Sequence, residues 1–405
     1  MTAGNGAVRR VCMFARVPRI GLGDLAQRNI VLNQLRAAFP AAELTWVIGE
    51  YTTRVPFLDE FVRRHSYATE VLVCPDAEDG DPQRWRRFVD GLPARRFEVC
   101  VVDPRSFRLG VRDAWQAGIE ARVAIPTGGP DDRLITHPMR PARRPGVPGP
   151  DLYDYTEALV TAVGAELTAE PAHVVPPLPM RPEELPSWTG RRPLVGLHPG
   201  GSTGWNRRWP AARFVELGAR LAGELGATLA VLGSNDELAD TTRLRAEIVE
   251  RSHGADVRLC LGEPLNRVAN LIGRMDLLVA NDSGLAHLAP ALRTPTVVLY
   301  GPVGDEFMWQ RVYPLHLGAD RFYACQNRTN EDNEWPGQCA IGCPCDYVSY
   351  DGPYPRCLAD ITVDEVWPLV RRQLGDRPVS TSGLERRQPL GSATNLEPPA
   401  AGETR

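Results

Sequence analysis

Short apolar runs alternate along the chain with longer segments in which apolar positions recur at helical spacing. In the first half, strand-like runs such as RRVCMFARV, LTWVIG, TEVLVCP and FEVCVVDP are separated by helical patterns such as LAQRNIVLNQLRAAF. Buried strands separated by amphipathic helices are typical of parallel sheets that are covered on both faces. The pattern therefore predicts an α/β protein.

A proline-rich segment interrupts this alternation, and the same rhythm restarts after it, from PLVGLHPGG to a last helix, TVDEVWPLVRRQL. We expect an interdomain linker there. Two α/β halves joined by a linker predict a site in the cleft between them, at the carboxyl ends of the strands. The predicted parts are an N-terminal domain of residues 1–175, a linker of 176–192, a C-terminal domain of 193–360, a helix of 361–375 and a disordered tail of 376–405.

Composition narrows the functional classes. With 46 basic and 50 acidic residues in 405, the formal net charge of −4 gives no general attraction to nucleic acid or to an anionic membrane. No apolar run has the length of a membrane span, and MTAGNGAVRR lacks the apolar core of a signal peptide. These features predict a cytoplasmic globular protein with no nucleic-acid partner and no transmembrane segment.

Every basic residue is an arginine, because the sequence contains no lysine. Schiff-base catalysis and a Walker-type phosphate lysine are thereby excluded. Any phosphate site must use arginine side chains or backbone amides. Together with abundant alanine and proline, this composition indicates a GC-rich genome.

The stretch LLVANDSGLAHLAPAL, residues 277–292, changes from a strand pattern to a helix pattern at Asp282, Ser283 and Gly284. The first N–H groups of a helix have no internal partners and form an anion site at the positive end of its dipole. Gly284 permits close approach of a ligand to the backbone, and His287 can donate to a phosphate oxygen. Asp282 would repel a phosphate, so we expect it to tie down the loop or orient a base. The alternative is a capped helix with a core histidine.

The stretch HPGGSTGWNRRWP, residues 198–210, places a glycine-rich turn between a strand and the start of a helix. Ser202 and Thr203 offer hydroxyl donors there. Arg207 and its neighbour Arg208 offer guanidinium groups for a diphosphate. The alternative is a surface turn with solvated arginines.

A third stretch, RVPRIGLGDLAQ at residues 16–27, follows the first strand and places Asp24 at the start of a helix that faces the cleft. A carboxylate opposite a diphosphate site can act as the general base for an attacking hydroxyl. The alternative is that Asp24 is the N-cap of its helix.

In combination, the HPG…RWP block, the NDSG…H stretch and the YGP that follows it resemble glycosyltransferase family 9, which includes the lipopolysaccharide heptosyltransferases. The resemblance is strongest from Val195 to Val303. It implies a GT-B fold, in which two Rossmann-like domains with parallel sheets face each other across a cleft. It also implies transfer of a sugar from a nucleoside-diphosphate donor, with inversion at the anomeric carbon and without a metal or another cofactor.

The resemblance also implies roles for particular residues. Asp24 takes the place of the base, and Glu237 that of an acid that holds the ribose hydroxyls. Glu263 and Leu265 lie near the nucleobase, in a stretch that departs from the expected pattern, so the donor stays open between ADP- and GDP-linked sugars. The donor phosphates fall to Ser202, Thr203, Arg207, Asp282, Ser283, Gly284 and His287.

The expected sugar is a heptose or a related manno-type sugar, and the acceptor is a small molecule or a glycan. If the GC-rich source lacks lipopolysaccharide, the resemblance points to a natural-product aglycone, as in antibiotic glycosylation. A heptosyltransferase of the lipopolysaccharide type is the alternative acceptor class. A nucleotide-sugar epimerase on the same fold and a non-catalytic nucleotide-sugar-binding protein are alternatives of other kinds.

Nine cysteines fall into two groups. Five crowd residues 325–357, where Cys343-Pro344-Cys345 is too tight for a standard zinc clip. Free or loosely paired structural cysteines, one or two disulfides, and a metal site all stay open there. The basic patches QRWRRF and PARRFEV are either solvated helix faces or contacts for an anionic acceptor. The other four cysteines lie in apolar runs and are expected to be small core residues: Cys12, Cys74, Cys100 and Cys260.

Overall fold

The computed structural model describes most of residues 8–301 and the segment 353–375. Several sequence expectations fall outside the described residues: those for Ser202 and Thr203, for most of the cysteine-rich segment 325–357, and for the tail 376–405. The described residues up to Gly375 belong to one compact unit. The described residues are 8–75, 82–141, 158–159, 161–163, 177–201, 207–301, 316–319, 348–349 and 353–375.

The N-terminal half builds a six-stranded parallel sheet in the order β3-β2-β1-β4-β5-β6. Its central strands carry valine, cysteine and aromatic side chains that are buried on both faces, as a covered parallel sheet requires. The strands are β1 Arg10–Phe14, β2 Glu43–Gly49, β3 Glu70–Cys74, β4 Val99–Val102, β5 Ala121–Ala124 and β6 His137–Pro138. The helices are α1 Leu22–Ala38, α2 Glu50–Arg54, α3 Pro56–Arg64, α4 Pro82–Gly91 and α5 Val111–Gln116.

The C-terminal half repeats the arrangement in a second six-stranded parallel sheet, ordered β12-β11-β10-β7-β8-β9. The strands are β7 Leu194–His198, β8 Thr228–Gly233, β9 Val257–Leu261, β10 Leu277–Asn281, β11 Thr296–Leu299 and β12 His316–Ala319. The helices are α6 Ala211–Leu225, α7 Leu238–Arg251, α8 Leu265–Ile272, α9 Gly284–Leu288, α10 Arg356–Ala359 and α11 Val363–Leu374. Two further short strands, β13 Val348–Ser349 and β14 Pro353–Tyr354, pair as an antiparallel ribbon.

Both sheets have the strand order of a Rossmann fold, so the predicted two-sheet α/β architecture is confirmed. In each sheet the order reverses direction at one place, between β1 and β4 and between β7 and β10. Loops diverge there at the carboxyl ends of the strands and leave a crevice. The loops that follow these four strands are therefore the expected ligand-binding loops.

Proline explains two departures from the predicted helices. The helical pattern of TRVPFLDEFVRR is divided in two: Val55 is extended before Pro56, so α2 ends at Arg54 and α3 begins at the proline. The helix expected over LAHLAPALR is an α-helix only to Leu288. It continues as a 3₁₀ turn, because Pro290 has no N–H to donate.

The four cysteines expected in the core are buried, with Cys12 and Cys100 side by side on β1 and β4. The last helix, α11, lies where the sequence predicted it and buries Val363, Val366 and Val370 against the second sheet. In the part of the chain that the structure describes, no helix has the length and apolarity needed to cross a membrane.

The two halves touch where the first turns of α1 and α9 meet. A Cβ added to Gly284 would lie 2.7 Å from Cβ of Leu22, and one added to Gly23 would lie 2.5 Å from Cδ2 of His287. Glycine at both positions is therefore explained by helix-to-helix approach. Gly284 was expected to admit a ligand, whereas in this structure its Cα faces Leu22.

We expect Gly284→Ala to destabilise the protein by about 1–3 kcal/mol, because the added methyl group overlaps Cβ of Leu22, which the backbone holds in place. The matched control is Gly223→Ala in α6, where a Cβ meets nothing within 4 Å. There the better helix propensity of alanine should stabilise by about 0.5–1 kcal/mol. Denaturant unfolding of both variants measures the two shifts, which should have opposite signs.

Candidate functional site

The four loops at the sheet reversals carry most of the polar side chains that meet in the cleft. The loop after β1 leads into α1 with Asp24 in its first turn, and the loop after β4 carries Asp103 and Arg105. In the other half, β7 ends at His198, and β10 ends at Asn281, one residue before Asp282. The topology thus brings together residues that are far apart along the chain.

Asp24 is held by its own helix and by an arginine from the next loop. Its Oδ2 accepts a hydrogen bond from the N–H of Gly21 at 3.1 Å, and its Oδ1 accepts one from Nη1 of Arg105 at 2.5 Å. Nη1 of Arg28, one turn further along α1, lies 3.7 Å from the same oxygen. About a quarter of the side chain, 27%, stays exposed to the cleft. The alternative that Asp24 is the N-cap is wrong, because Gly21 holds that position and Asp24, the third helical residue, accepts its N–H.

A second carboxylate organises the two arginines. Asp103 Oδ1 accepts hydrogen bonds from Nη2 of Arg28 and from the main-chain N–H of Arg105, both at 2.8 Å. Arg28 is buried and also donates from Nη1 to the main-chain oxygen of Asp24 at 3.0 Å. Two carboxylates and two guanidinium ions therefore form one compact group: Asp24, Arg28, Asp103 and Arg105.

The charges around Asp24 keep it ionised. Burial acts to raise the pKa of this carboxyl, but the positive charges of Arg28 and Arg105 and the hydrogen bond from Gly21 outweigh it and lower the pKa. A smaller lowering comes from His287, in the opposite half of the molecule. Asp24 and His287 are therefore close enough across the cleft to interact electrostatically.

Asp282 connects an arginine and a histidine of the predicted phosphate site. Its Oδ2 accepts a hydrogen bond from Nη1 of Arg207 at 3.0 Å, and its Oδ1 lies 3.3 Å from Nε2 of His287. The carboxylate is almost completely buried, with 5% of the side chain exposed. Asp282 thus orients the side chains of Arg207 and His287.

Asn281, which the sequence reasoning passed over, joins the two loops of the C-terminal half. Its Oδ1 accepts from the N–H of Trp209, and its Nδ2 donates to the carbonyls of Pro199 and Gly200. The side chain is fully buried, so each of these bonds replaces one that water cannot make. The glycine-rich turn is therefore attached to the end of β10 through this amide.

His198 supports the first turn of α9 from below. Its Nδ1 lies 2.9 Å from Oγ of Ser283, the residue that precedes the helix. Burial lowers the pKa of His198 to about 4; the charge of Glu237 opposes this shift and that of Arg208 adds to it. His198 is therefore neutral near pH 7 and can share a single proton with the Ser283 hydroxyl.

Glu237 lies beneath the glycine-rich turn. Its Oε2 accepts from the N–H of Ser234 at 2.8 Å, and its Oε1 lies 3.4 Å from Nη2 of Arg208. Only 15% of its side chain is exposed, because Gly200 packs directly on the carboxylate. Arg208 therefore pairs with Glu237, whereas its neighbour Arg207 pairs with Asp282.

The two residues expected near a nucleobase have different surroundings. Glu263 is 37% exposed and pairs with Arg267 one turn later. Leu265 is buried in the core, and its N–H donates to the carboxylate of Glu60, which also accepts from the next amide, that of Asn266. The start of α8 is therefore capped by a side chain from the N-terminal half.

The structure brings together Asp24, Arg207, Asp282, Ser283 and His287 at the reversals of the two sheets. Glu237 lies under the adjacent loop, and Glu263 and Leu265 lie further away, on the loop before α8. Sequence reasoning missed the supporting residues, although each stands at the end of a predicted strand or one turn from Asp24: Arg28, Asp103, Arg105, His198 and Asn281. Within the described ranges, no group of three potential metal-ligating side chains is present.

Comparisons with known proteins identify the second half most clearly. Residues 158–321 match the profile of glycosyltransferase family 9 (heptosyltransferase). The chain is 32% identical over 141 residues to lipooligosaccharide heptosyltransferase 2 of Haemophilus influenzae, covering 35% of this chain and 40% of that protein. It is 37% identical over 123 residues to lipopolysaccharide heptosyltransferase 2 of Escherichia coli, covering 30% and 34% of the two chains. These alignments thus span less than half of either relative, and the resemblance to the family seen in the sequence is confirmed.

Longer alignments have lower identity. Lipopolysaccharide heptosyltransferase 1 of Pseudomonas aeruginosa is 26% identical over 318 residues, which cover 74% of this chain and 81% of that protein. Among solved structures, the ADP-heptose lipopolysaccharide heptosyltransferase II of Escherichia coli superposes with a TM-score of 0.60 at 19% identity, covering 90% of this chain and 98% of that chain. At this identity the superposition supports the GT-B fold alone.

The neutral state of His198 predicts a pH dependence of stability. Its pKa of about 4 in the folded protein lies below the ordinary 6.5, so the unfolded chain binds more protons between these values. The contribution of His198 to the free energy of unfolding is therefore fully present above pH 6.5. It is lost as the pH falls toward 4, by up to about 3 kcal/mol. Denaturant unfolding from pH 4.5 to 7.5 should show that His198→Asn flattens this slope. The same change at His253, exposed on the surface, is the control and should leave the slope as it is in the unsubstituted protein.

Proposed function

We propose that this protein, whose residues 158–321 belong to glycosyltransferase family 9 (heptosyltransferase), transfers a sugar from a nucleoside-diphosphate donor to an acceptor hydroxyl. The observation that carries the proposal is the opposition of Asp24, in one half, to the group formed by Arg207, Asp282 and His287 in the other. A carboxylate base facing a cationic phosphate site is what displacement of a diphosphate leaving group requires.

The leaving diphosphate is stabilised by fixed donors in our proposal. Asp282 holds Arg207 and His287 at its two oxygens, so both side chains are oriented before the donor binds. The first amides of α9 and the Ser283 hydroxyl, positioned by His198, add donors on the same side. Preorganised donors of this kind stabilise developing charge without a metal ion, and we propose a metal-independent reaction.

Asp24 is the proposed general base. It is ionised at neutral pH, because the surrounding cations lower its pKa, and it lies in the half opposite the diphosphate site. The acceptor oxygen would attack the anomeric carbon from the Asp24 side while the diphosphate departs toward Arg207. An in-line displacement between groups on opposite sides inverts the anomeric carbon.

The donor we propose is ADP-heptose or a related ADP- or GDP-linked manno-type sugar. The support comes from the names of the relatives, which are heptosyltransferases. One solved structure with a similar fold is named as an ADP-heptose heptosyltransferase. Glu237 is proposed for the ribose hydroxyls, and Glu263 and Leu265 for the vicinity of the base. Glu237 would have to exchange part of its bonding to Ser234 and Arg208 for the ribose.

For the acceptor we propose a natural-product aglycone, with a lipopolysaccharide-type acceptor as the second candidate. The names of the relatives refer to lipooligosaccharide and lipopolysaccharide, which supports the second candidate. The lysine-free, arginine-rich composition supports a GC-rich source instead. A cytoplasmic location also belongs to the proposal.

A panel of ADP-, GDP- and UDP-linked sugars tests the reaction class. A transferase should slowly release free sugar and nucleoside diphosphate from its own donor. A nucleotide-sugar epimerase would interconvert sugars without releasing them, and a binding protein would do neither. Product analysis by mass spectrometry separates the three outcomes.

Asp24→Asn should bind the donor normally and lose turnover by about 10²–10⁴-fold, because the amide keeps the shape of the side chain but cannot accept the proton. Donor affinity by calorimetry and turnover by nucleotide release measure the two effects. Asp131→Asn, at an exposed carboxylate of the same half, is the control. Turnover near that of the unsubstituted protein would remove Asp24 as the base.

Arg207→Ala should weaken donor binding by about tenfold to a hundredfold, because a charge-assisted contact to phosphate is lost. The control is Arg191→Ala, which removes an exposed arginine paired with Asp256 in the same half. Calorimetric titration with the nucleoside diphosphate and with the free nucleoside should show the loss only for the diphosphate. Equal affinities in both variants would refute the phosphate role.

A further inference from the structure

The start of α8 is held by a residue of the other half. This helix begins after Pro264, whose side chain has no polar group that could cap it. The first N–H groups of a helix have no partners inside the helix. Here the carboxylate of Glu60, on α3, accepts the N–H of Leu265 at Oε2 and that of Asn266 at Oε1, both at 3.1 Å. The cap of α8 therefore comes from a residue 205 positions before its first residue.

The Glu60 carboxylate is held in a partly buried position. Its side chain is 18% exposed, and its Oε1 lies 3.6 Å from Nε2 of His65, which is buried. Nδ1 of His65 lies 2.6 Å from the main-chain oxygen of Pro179 and donates to it, because a carbonyl oxygen can only accept. The negative charge of Glu60 also suits the positive end of the α8 dipole. The cap is therefore an ordered contact between the two halves.

The polar side chains of α8 bind the predicted linker. Asn266 and Asn270 both donate from Nδ2 to the main-chain oxygen of Arg181, at 3.1 and 2.9 Å. Nη1 of Arg267 donates to the carboxylate of Glu183 at 3.1 Å. The position of α8 thus depends on the N-terminal half and on the linker as well as on the sheet of its own half.

The loop before α8 is in contact with the loop that carries Glu237, the residue proposed for the ribose hydroxyls. The N–H of Gly262 donates to the main-chain oxygen of Gly233, at the end of β8, at 3.0 Å. Gly262 has a φ of +60°, and a Cβ added to it would overlap the side-chain amide of Asn235. The residues proposed for the ribose and for the nucleobase therefore lie on two neighbouring loops that pack together.

The loop before α8 has little freedom of its own. Only Glu263 and Pro264 separate Gly262 from the first residue of the helix. Gly262 is bound to the end of β8, and the ring of Pro264 fixes its φ. A shift of the first turn of α8 would therefore move Glu263 directly, because the loop cannot absorb it.

We propose that Glu60 is a positioning residue of the donor site, which holds the start of α8 and the loop before it in the geometry that selects the nucleobase. The inference rests on the proposed function, which assigns Glu263 and Leu265 to the vicinity of the base. Its consequence is that the N-terminal half takes part in recognition of the nucleobase through this carboxylate. The diphosphate, in contrast, is bound by residues around the start of α9.

The experiment compares the affinities of Glu60→Gln and the unsubstituted protein for ADP, GDP, UDP and inorganic pyrophosphate by titration calorimetry. The glutamine can accept one of the two α8 amides, but its NH₂ group faces the other and leaves that N–H unsatisfied. The nucleotide that the unsubstituted protein binds most tightly should lose about tenfold in affinity, so the differences among the three nucleotides become smaller. The affinity for pyrophosphate should stay the same, because the residues around α9 are unchanged.

The matched control is Asp59→Asn, at the neighbouring carboxylate of α3, which pairs with Arg63 of the same helix. It should leave all four affinities unchanged. A cap with only a structural role would lower the thermal unfolding midpoint of Glu60→Gln and leave the ratios among the nucleotides as they are. If Glu60→Gln does not fold, Glu60→Asp carries the same comparison, because it keeps the charge but withdraws the carboxylate by one methylene group.

The outcomes separate the positioning role from the proposed function. A loss confined to the nucleotides, with smaller differences among them, supports the role of Glu60. Unchanged ratios among the nucleotides, or an equal loss for pyrophosphate, overturn that role and leave the transferase proposal standing. If the unsubstituted protein binds none of the three nucleotides, the proposed function itself is overturned.

Discussion

The approach of two helix N-termini is the constraint on which the site depends. The first turns of α1 and α9 come from different sheets and meet with almost no space between them, since Gly23 lies against His287 and Gly284 against Leu22. Larger residues at either glycine would separate the two halves. Because Asp24 is on one of these turns and His287 on the other, the same contact sets the distance between the proposed base and the proposed phosphate site.

The chemistry of the site follows from placing ionised groups in partly buried surroundings. Asp24 lies beside the guanidinium groups of Arg28 and Arg105, and Asp282 lies beside the guanidinium of Arg207 and the imidazole of His287. Such pairing offsets the cost of removing a carboxylate from water and keeps it ionised. Arginine suits this task because its planar fork can bind a carboxylate and a second acceptor at once, as Arg28 does with Asp103 and the backbone of Asp24.

Neutral polar groups complete the arrangement from within the fold. Asn281 and His198 are buried at the ends of neighbouring strands, and each bonds to a loop that a ligand would contact. Their hydrogen bonds are made within the protein, so the loops keep their shape without help from solvent. In the N-terminal half, the buried ion pair of Arg28 and Asp103 has the corresponding place.

The sequence by itself determined the alternation of strands and helices, the two-sheet α/β class, the buried cysteines and the carboxylate at the start of α1. These properties depend on local spacing and burial, which an apolar pattern records directly. Only the tertiary structure decided which charges are partners. Arg105 is 81 positions from Asp24 and Arg207 is 75 from Asp282, and no local pattern records such pairings. The close approach that explains Gly23 and Gly284 is likewise a property of two packed helices, so the sequence could name the glycines but not what they face.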